Sequence, residues 1–422
     1  MRFMFRNLIA ASALSLASIS AHADTKLNVL YAVPSNFKAL QQDLAARFQK
    51  DHPDITITFR NPAETYDSAT AEVLRSAIVG DMPDVYFQGL NQLRVLVSQG
   101  HAVDFGRFVS DPKQWGDMGY IPSMLGLGQI DGKLYGLPFS ISTPTTYINE
   151  DLLKKAGAPG DKLPDNWADI IALGKKIDDR ANGVTGFMYG YTTTGNWLFQ
   201  ALITSAGGVV GTPDGCKIGF NNAQGKAALD TLEAFSKGGM PEMNWQQSRQ
   251  AFAAGKIGIL IESSASVTLL ERNIADKFKM RTVPYPVMAK DGKLPAGGNV
   301  AMILSKDPEK QKAAWEYVKF VTGPIGQTMM ANYTGYAPGN QKAVDDPKLL
   351  GGYYETHPNH ATGVRQLSVM TQWHSWAGQN SVKIVDVIQN YLNDIIGARR
   401  TAAATMPLMV NDVQGLLPAS CP

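Results

Sequence analysis

The chain has 422 residues, with 39 basic and 37 acidic side chains and 44% hydrophobic residues, which is an ordinary globular composition. Its length exceeds what one hydrophobic core normally supports, so we expect two domains. The balanced charge gives no basic patch of the kind that nucleic-acid-binding proteins usually need, so we expect no nucleic-acid partner.

The N-terminus carries the pattern of a secretion signal. Arg2 and Arg6 precede a short apolar stretch, residues 8–19, and Ala21-His22-Ala23 supplies the small residues that signal peptidase requires. The apolar stretch is shorter than the ~20 residues of a transmembrane helix. We therefore predict a signal peptide over residues 1–23, cleavage near Ala23, and a periplasmic, formally neutral mature protein.

Strand and helix patterns alternate through the first part of the mature chain. Residues 26–31 and 55–59 are apolar in the manner of strands, and Asp84 to Phe87 forms a third short strand. Between the first two, Phe37, Leu40, Leu44 and Phe48 recur at helical spacing, and a helix over about 69–79 follows the second. This β-α-β-α-β order predicts an α/β domain.

The second half repeats these signals at several places. Phe252 to Ile261 predicts a helix, a glycine turn and a strand, and Pro284 and Pro286 interrupt a strand near Arg281. Residues 310–320 form an amphipathic helix, and the segment from Ser381 to Ala403 is mostly helical.

Motifs for common cofactors and metals are absent from the sequence. There is no GxxxxGK[ST], GxGxxG after a strand, HExxH, CxxC or GxSxG. His357 and His360 are three residues apart, but Pro358 lies between them, which favours a solvated loop over a metal site. We expect no cofactor, no metal and no catalytic residue.

Several segments, in order, resemble the family 1 extracellular solute-binding proteins. They are Asp131 to Pro138 (DGKLYGLP), Tyr147 to Gly157 (YINEDLLKKAG), Pro164 to Trp167 with Asp169, Ala251 to Gly258 (AFAAGKIG) and Thr334 to Pro338 (TGYAP). The resemblance covers essentially the whole mature chain. It implies a small-molecule ligand, the membrane permease subunits of an ABC importer as partner, and a monomer.

The chain is most similar to the branch of that family that binds sn-glycerol 3-phosphate and glycerophosphodiesters. The resemblance implies a ligand site formed by Tyr66, Asp67, Ser142, Trp167, Ser264, Gly297, Gly298 and Tyr336, to which we add Trp376 and Arg365. Aromatic rings would cover the C–H face of a polyol or sugar, and hydroxyl, carboxylate and backbone groups would bind its rim.

Structural roles are open for the same residues. Each tryptophan can be a core anchor, one serine among Ser263 to Ser266 can be a helix N-cap, and the two glycines can form a tight turn. Arg365 can form a surface salt bridge.

One departure from the branch concerns the phosphate. The branch has an arginine near the C-terminal helix, whereas this chain reads His374 to Gln379 (HSWAGQ). Because arginine binds phosphate with two parallel hydrogen bonds, its absence predicts a neutral or weakly anionic polyol or sugar derivative. Arg365 is the nearest candidate to replace it.

The resemblance implies the two-lobed α/β fold of periplasmic binding proteins, with discontinuous lobes. We expect crossovers near Ser140, Pro286 and Thr334, which assign residues 24–140 and 287–333 to lobe one and 141–286 and 334–422 to lobe two. A ligand that contacts both lobes would favour the closed form, which the permease would recognise.

Two other classes of function remain open. A secreted carbohydrate-active hydrolase or lyase needs two carboxylates that meet only in space, and sequence cannot exclude them. A chemoreceptor or scavenger role would give the same ligand binding, so neighbouring permease and ATPase genes would distinguish import.

The sequence contains two cysteines, Cys216 and Cys421. An exported chain enters an oxidising compartment where a disulfide can persist, so we predict a bond between them. Two unpaired thiols are the alternative, because sequence does not show whether the Cα atoms approach closely enough.

Overall fold

The computed structural model describes residues 25–158 and 164–419. The predicted signal peptide and Cys421 lie outside these residues. Cys216 is disulfide-bonded, and its pairing with Cys421 stays a prediction.

Strands and helices alternate along most of the described chain. The strands are β1 (Thr25–Leu30), β2 (Ile55–Phe59), β3 (Val85–Gly89), β4 (Gln129–Ile130), β5 (Lys133–Leu134), β6 (Leu137–Ser142), β7 (Pro144–Asn149), β8 (Thr185–Tyr189), β9 (Ile257–Ser263), β10 (Met280–Pro284), β11 (Leu294–Pro295), β12 (Gly297–Ile303) and β13 (Met370–Thr371). The helices are α1 (Pro34–Asp51), α2 (Tyr66–Ile78), α3 (Leu93–Ser98), α4 (Lys113–Asp117), α5 (Pro122–Leu125), α6 (Glu150–Lys155), α7 (Trp167–Ile177), α8 (Trp197–Ser205), α9 (Ala223–Lys237), α10 (Trp245–Ala253), α11 (Val267–Ile274), α12 (Pro308–Thr322), α13 (Pro324–Tyr333), α14 (Gln341–Asp345), α15 (Tyr353–Thr356), α16 (Pro358–Arg365), α17 (Ser381–Ile396) and α18 (Ala402–Leu416).

Two separate sheets define two lobes. The first has the order β2-β1-β3-β12-β6, in which β1 runs parallel to β2 and β3 while β12 is antiparallel to both of its neighbours. The second has the order β10-β7-β9-β8, with β7 antiparallel to β9 and β10. The first lobe is discontinuous because β12 joins its sheet only after the four strands of the second sheet. The second lobe is discontinuous because α16, which follows β12 in sequence, packs on β10.

The buried side of α1 shows why the first lobe folds as it does. Phe37, Leu40, Leu44 and Phe48 are all at most 1% exposed, because residues at this spacing share one helical face. Pro34 stands at the first helical position, where no backbone N–H is needed. The predicted helix and its buried face are both present.

The chain crosses between the lobes in three regions. The first change of sheet falls between Ser142 and Pro144, and the second between Pro284 and Gly297. Both lie a few residues from the predicted crossovers at Ser140 and Pro286.

The third crossing differs from the prediction at Thr334. The side chain of Asn340 donates hydrogen bonds to the carbonyl oxygens of Met118 (3.1 Å) and Thr322 (3.3 Å), so the segment after Thr334 still packs on the first lobe. The chain reaches the second lobe again at α16, where Asn359 accepts a hydrogen bond from the backbone N–H of Thr282 in β10. Buried amide pairing, rather than the sequence motif, determines this boundary.

Candidate functional site

A cleft lies between the two lobes where the crossing strands meet. The first lobe contributes Val33, Asn36, Glu64, Tyr66, Ser142, Gly297, Gly298 and Tyr336, and the second contributes Thr193, Thr194, Trp197, Trp245, Arg249, Ser263, Ala265 and Trp373. The sequence predicted five of these residues: Tyr66, Ser142, Gly297, Gly298 and Tyr336.

Two tyrosines form one wall. Tyr66 is the first residue of α2, which Thr65 caps by a reciprocal hydrogen-bond pair with Ser68. The Tyr66 hydroxyl accepts a hydrogen bond from Asn299 Nδ2 at 3.0 Å and also pairs with Tyr336. Burial raises the pKa of both phenols, so each is a neutral hydroxyl at neutral pH.

Two glycines bring backbone up to the same wall. A Cβ on Gly297 would lie 2.6 Å from Ser142 Oγ and 2.7 Å from Trp197 Cζ2. Gly298 has φ +111°, and a Cβ there would lie 1.9 Å from the carbonyl oxygen of Ser140. Only glycine fits at these positions, because neither has space for a Cβ and Gly298 also has a positive φ, which side chains disfavour. Their close packing positions Ser142 and Trp197 against one another.

Tryptophans from the second lobe supply apolar surface. The rings of Trp197 and Trp373 have centroids 6.0 Å apart, and Tyr66 meets Trp373 edge-on at 6.4 Å. The indole N–H of Trp197 donates to Pro295 O at 3.0 Å and that of Trp373 to Gly195 O at 3.4 Å. Both rings are almost fully buried, at 1% and 4% exposed, and they line the cleft. With their N–H groups bonded to protein, what they can offer a solute in the cleft is C–H and π surface.

An ion pair stands behind one side of the cleft. Arg249 Nε and Nη2 lie 2.6 and 2.5 Å from Glu262 Oε2, and their side chains are 8% and 0% exposed. Thr193 and Ser266 donate hydrogen bonds to the two oxygens of Glu262. The Arg249 guanidinium lies 4.4 Å from the ring centre of Trp245, a cation–π arrangement that fixes its orientation.

Asp67 joins the lobes instead of lining the cleft. Its Oδ2 accepts hydrogen bonds from Thr194 Oγ1 (2.7 Å) and the Gly195 N–H (2.9 Å) on the second lobe. Its Oδ1 accepts from Asn91 (3.1 Å) and Gln92 (2.9 Å) on the first lobe. All four bonds use a buried carboxylate, so Asp67 stabilises the closed arrangement.

The remaining predicted residues lie elsewhere. Trp167 is in the core of the second lobe, edge-on to Tyr189, Phe235 and Tyr285 at 5.0–5.7 Å. Trp376 is buried against Phe220 and His374. Arg365 is exposed at the end of α16, and Ser264 is buried at the first crossing, where its Oγ accepts a hydrogen bond from the Thr143 N–H. None of Trp167, Trp376, Arg365 and Ser264 lines this cleft, so a ligand contact by any of them stays a prediction.

Sequence reasoning missed Trp197, Trp245, Trp373 and Arg249. A usable signal existed for Trp197, since it follows Thr-Thr-Thr-Gly-Asn, a run with turn and cap residues ahead of an apolar helix. Trp245 likewise follows Asn244, which caps α10. Arg249 had no signal, because its ion-pair partner is 13 residues away on another element.

A wider groove opens beyond Trp373. It is lined by residues of both lobes, among them Leu90, Arg94, Lys293 and His374, and Trp373 borders both this groove and the cleft. Within residues 25–158 and 164–419, no cluster of three His, Cys, Asp or Glu side chains could hold a metal ion. In the same ranges no helix is long and apolar enough to cross a membrane.

Two α/β lobes with an aromatic and hydroxyl-lined cleft between them have the architecture of a bilobal ligand-binding protein. The family model described as "Bacterial extracellular solute-binding protein" matches residues 43–362. The chain belongs to that family.

Known proteins resemble it over nearly their full length. The sn-glycerol-3-phosphate-binding periplasmic protein UgpB of Escherichia coli K12 is 24% identical over 376 residues, covering 85% of this chain and 84% of the relative. UgpB from Mycobacterium tuberculosis in complex with glycerophosphocholine superposes with a TM-score of 0.80 at 20% identity, covering 93% of this chain and 98% of the other. Maltose-bound MalE3 of T. maritima gives 0.79 at 20% identity, covering 93% and 100%. The two-lobed fold expected from the sequence is confirmed.

Proposed function

We propose that the chain is the periplasmic substrate-binding component of an ABC importer. Its ligand is a small polyol, sugar or glycerol-phosphate-like solute held in the cleft between the lobes. The observation that carries this proposal is the cleft wall itself, in which Trp197 and Trp373 offer apolar faces while Tyr66, Tyr336 and Ser142 offer neutral hydroxyls. Such a mixture suits molecules with C–H faces and hydroxyl rims.

The relatives support the same class of ligand. Their names and complexes include sn-glycerol 3-phosphate, glycerophosphocholine and maltose, which are all small hydroxylated solutes. Secretion by the proposed signal peptide, residues 1–23, would deliver the chain to the periplasm. There we propose that a monomer presents its closed form to the permease subunits.

Binding without chemistry is the expected behaviour. Family members are solute-binding proteins. Of the carboxylates at the cleft, Glu262 accepts hydrogen bonds from Arg249, Thr193 and Ser266, and Glu64 accepts one from Gln246. A general acid or a nucleophile must instead be free to reach the reacting atoms. The hydrolase or lyase alternative therefore has less support than the binding role.

A thermal-shift screen of hydroxylated solutes tests the proposal. A solute that binds only the folded protein at a hundredfold excess over Kd adds about 2.7 kcal/mol to the free energy of unfolding. We expect such a shift with at least one polyol, sugar or glycerophosphodiester, and quantitative recovery of the intact solute. Product accumulation on long incubation would contradict a binding-only role, and no shift across the panel would contradict the ligand class.

A further inference from the structure

The Arg249–Glu262 pair is the one buried ion pair that borders the cleft among the described residues. Only the arginine reaches the cleft surface, while Glu262 lies behind it on β9 with no exposed side-chain area. Removing two charges from water is costly, and well-packed apolar residues of similar volume would avoid that cost. The position of the pair at a binding surface suggests a role in recognition.

The geometry leaves part of the guanidinium available. Glu262 pairs with Nε and Nη2, and among the described residues the one further hydrogen-bond partner is Asn36 Oδ1 on the opposite lobe, 3.4 Å from Nη1. An arginine has five N–H donors in a rigid plane. At least two of them can therefore turn to a solute, in a fork suited to two neighbouring oxygens.

The net charge of the cleft determines whether the Arg249 guanidinium binds phosphate or hydroxyl oxygens. Arg249 is the only cationic side chain lining the cleft in the described part of the chain, and Glu262 compensates it. Glu64 adds a further carboxylate at the cleft, held by Gln246 at 2.9 Å. A phosphate monoester would therefore enter a cleft with no surplus of positive charge, whereas hydroxyl groups have no such requirement.

We propose that the Arg249–Glu262 pair is a specificity element that binds adjacent hydroxyl groups of an uncharged solute and disfavours a phosphate monoester. This rests on the proposed function and narrows its ligand class. Glu262 acts as a positioning residue, because it orients the Arg249 guanidinium and neutralises its charge without contacting the solute.

Calorimetry with matched solutes tests the idea on the mature protein. The pairs are glycerol with sn-glycerol 3-phosphate, glucose with glucose 6-phosphate, and maltose with maltose 1-phosphate. In the wild type we expect the neutral member of the pair that binds to have a Kd at least about tenfold lower than its phosphate. Glu262→Gln keeps groups that can bond to Thr193, Ser266 and Arg249 but leaves the arginine uncompensated, so the preference should shift towards phosphate by at least about tenfold.

Glu242→Gln is the matched control, since Glu242 also pairs with an arginine, Arg399, but on the surface with both side chains 49% exposed. It should leave the preference unchanged. If Glu262→Gln does not fold, Arg249→Lys decides the question. It keeps the charge but loses the fork, and should weaken binding of the neutral solute at least about tenfold in a variant that still folds, with a lower melting temperature because contacts of the buried pair are lost.

The outcomes separate the two proposals. If the wild type binds no member of any pair, the specificity element is overturned, whereas the proposed ligand class is overturned only if the thermal-shift panel gives no shift either. If it binds a phosphate as tightly as the matched neutral solute, or if a folded Glu262→Gln variant keeps the wild-type preference, only the specificity element is overturned. Unchanged affinity in Arg249→Lys would overturn it as well.

Discussion

Replacing Asp67 by asparagine removes a charge that bonds across the cleft. In the closed structure its Oδ2 accepts hydrogen bonds from Thr194 and Gly195 on the second lobe, while Oδ1 accepts from Asn91 and Gln92 on its own lobe. An asparagine has one acceptor oxygen for these four donors, and its NH₂ group would face donors on one side. At least one set of bonds is therefore lost.

The magnitude follows from the number and charge of the bonds that cross the cleft. A hydrogen bond to an ionised group contributes about 1.5–3 kcal/mol. Two such bonds are made only when the lobes are closed, and water replaces part of each when they open. A net loss of about 1.5–3 kcal/mol for the closed form is expected, which raises the Kd of a solute that requires closure by roughly ten- to a hundredfold.

Calorimetry with the solute that gives the largest thermal shift measures this change, and small-angle scattering measures the compactness of the free and bound protein. Thr194→Val removes one of the two crossing bonds and should give a smaller loss of affinity in the same direction. Asn91→Ser removes a bond within the first lobe and should leave affinity near the wild-type value. If Asp67→Asn keeps its Kd within twofold and closes as compactly as the wild type, the crossing bonds do not control closure.

Three further predictions concern the cleft wall, the core and pH. Gly298→Ala should lower the free energy of unfolding in denaturant titrations by at least about 2 kcal/mol, because residue 298 has a φ of +111° and no space for a Cβ. The control Gly415→Ala, at an open position of α18, should be neutral or stabilising. Equal effects of the two substitutions would refute the steric argument. Trp197→Leu should weaken solute binding in calorimetry by about 1–3 kcal/mol and, because the ring is 1% exposed, should also lower stability. Trp167→Leu should lower stability and leave affinity unchanged. An affinity loss in Trp167→Leu but not in Trp197→Leu would show that the cleft is assigned to the wrong tryptophan. Burial lowers the pKa of His374 from 6.5 to about 4, so the unfolded chain takes up the proton at a higher pH than the folded protein does. The contribution of His374 to stability is therefore complete above pH 6.5 and is lost as the pH falls towards 4. His374→Phe should remove up to about 3 kcal/mol of that loss. Denaturant titrations at pH 7 and pH 4 check this, and an unchanged decline in the variant would contradict it.

Local patterns made the elements of the fold predictable. The apolar face of α1 and the β-α-β order that follows it depend on residues a few positions apart, and the structure has them where the spacing indicates. The third crossing was not predictable from Thr334, because its position depends on Asn340 pairing with carbonyl groups of Met118 and Thr322. The two carbonyl groups are close to Asn340 in space, but no sequence pattern marks them as its partners.

The same distinction applies to the site. Motif resemblance located Tyr66, Ser142 and the glycine pair, which sit at ends of regular elements with fixed surroundings. It could not decide which tryptophans face the cleft, since Trp167 begins a helix just as Trp197 does. The difference between them is what packs opposite: three aromatic rings enclose Trp167, whereas Trp197 meets the bare backbone of Gly297 across the lobes.

The strand order of the first sheet has a consequence for how the protein must be made. β12 lies between β3 and β6, yet it follows them only after most of the second lobe has been synthesised. The first lobe cannot close its sheet until that distant strand arrives, and pairings of such high sequence separation form slowly. Slow folding leaves the chain unfolded for longer after synthesis, which is compatible with the export that we propose from the N-terminal sequence.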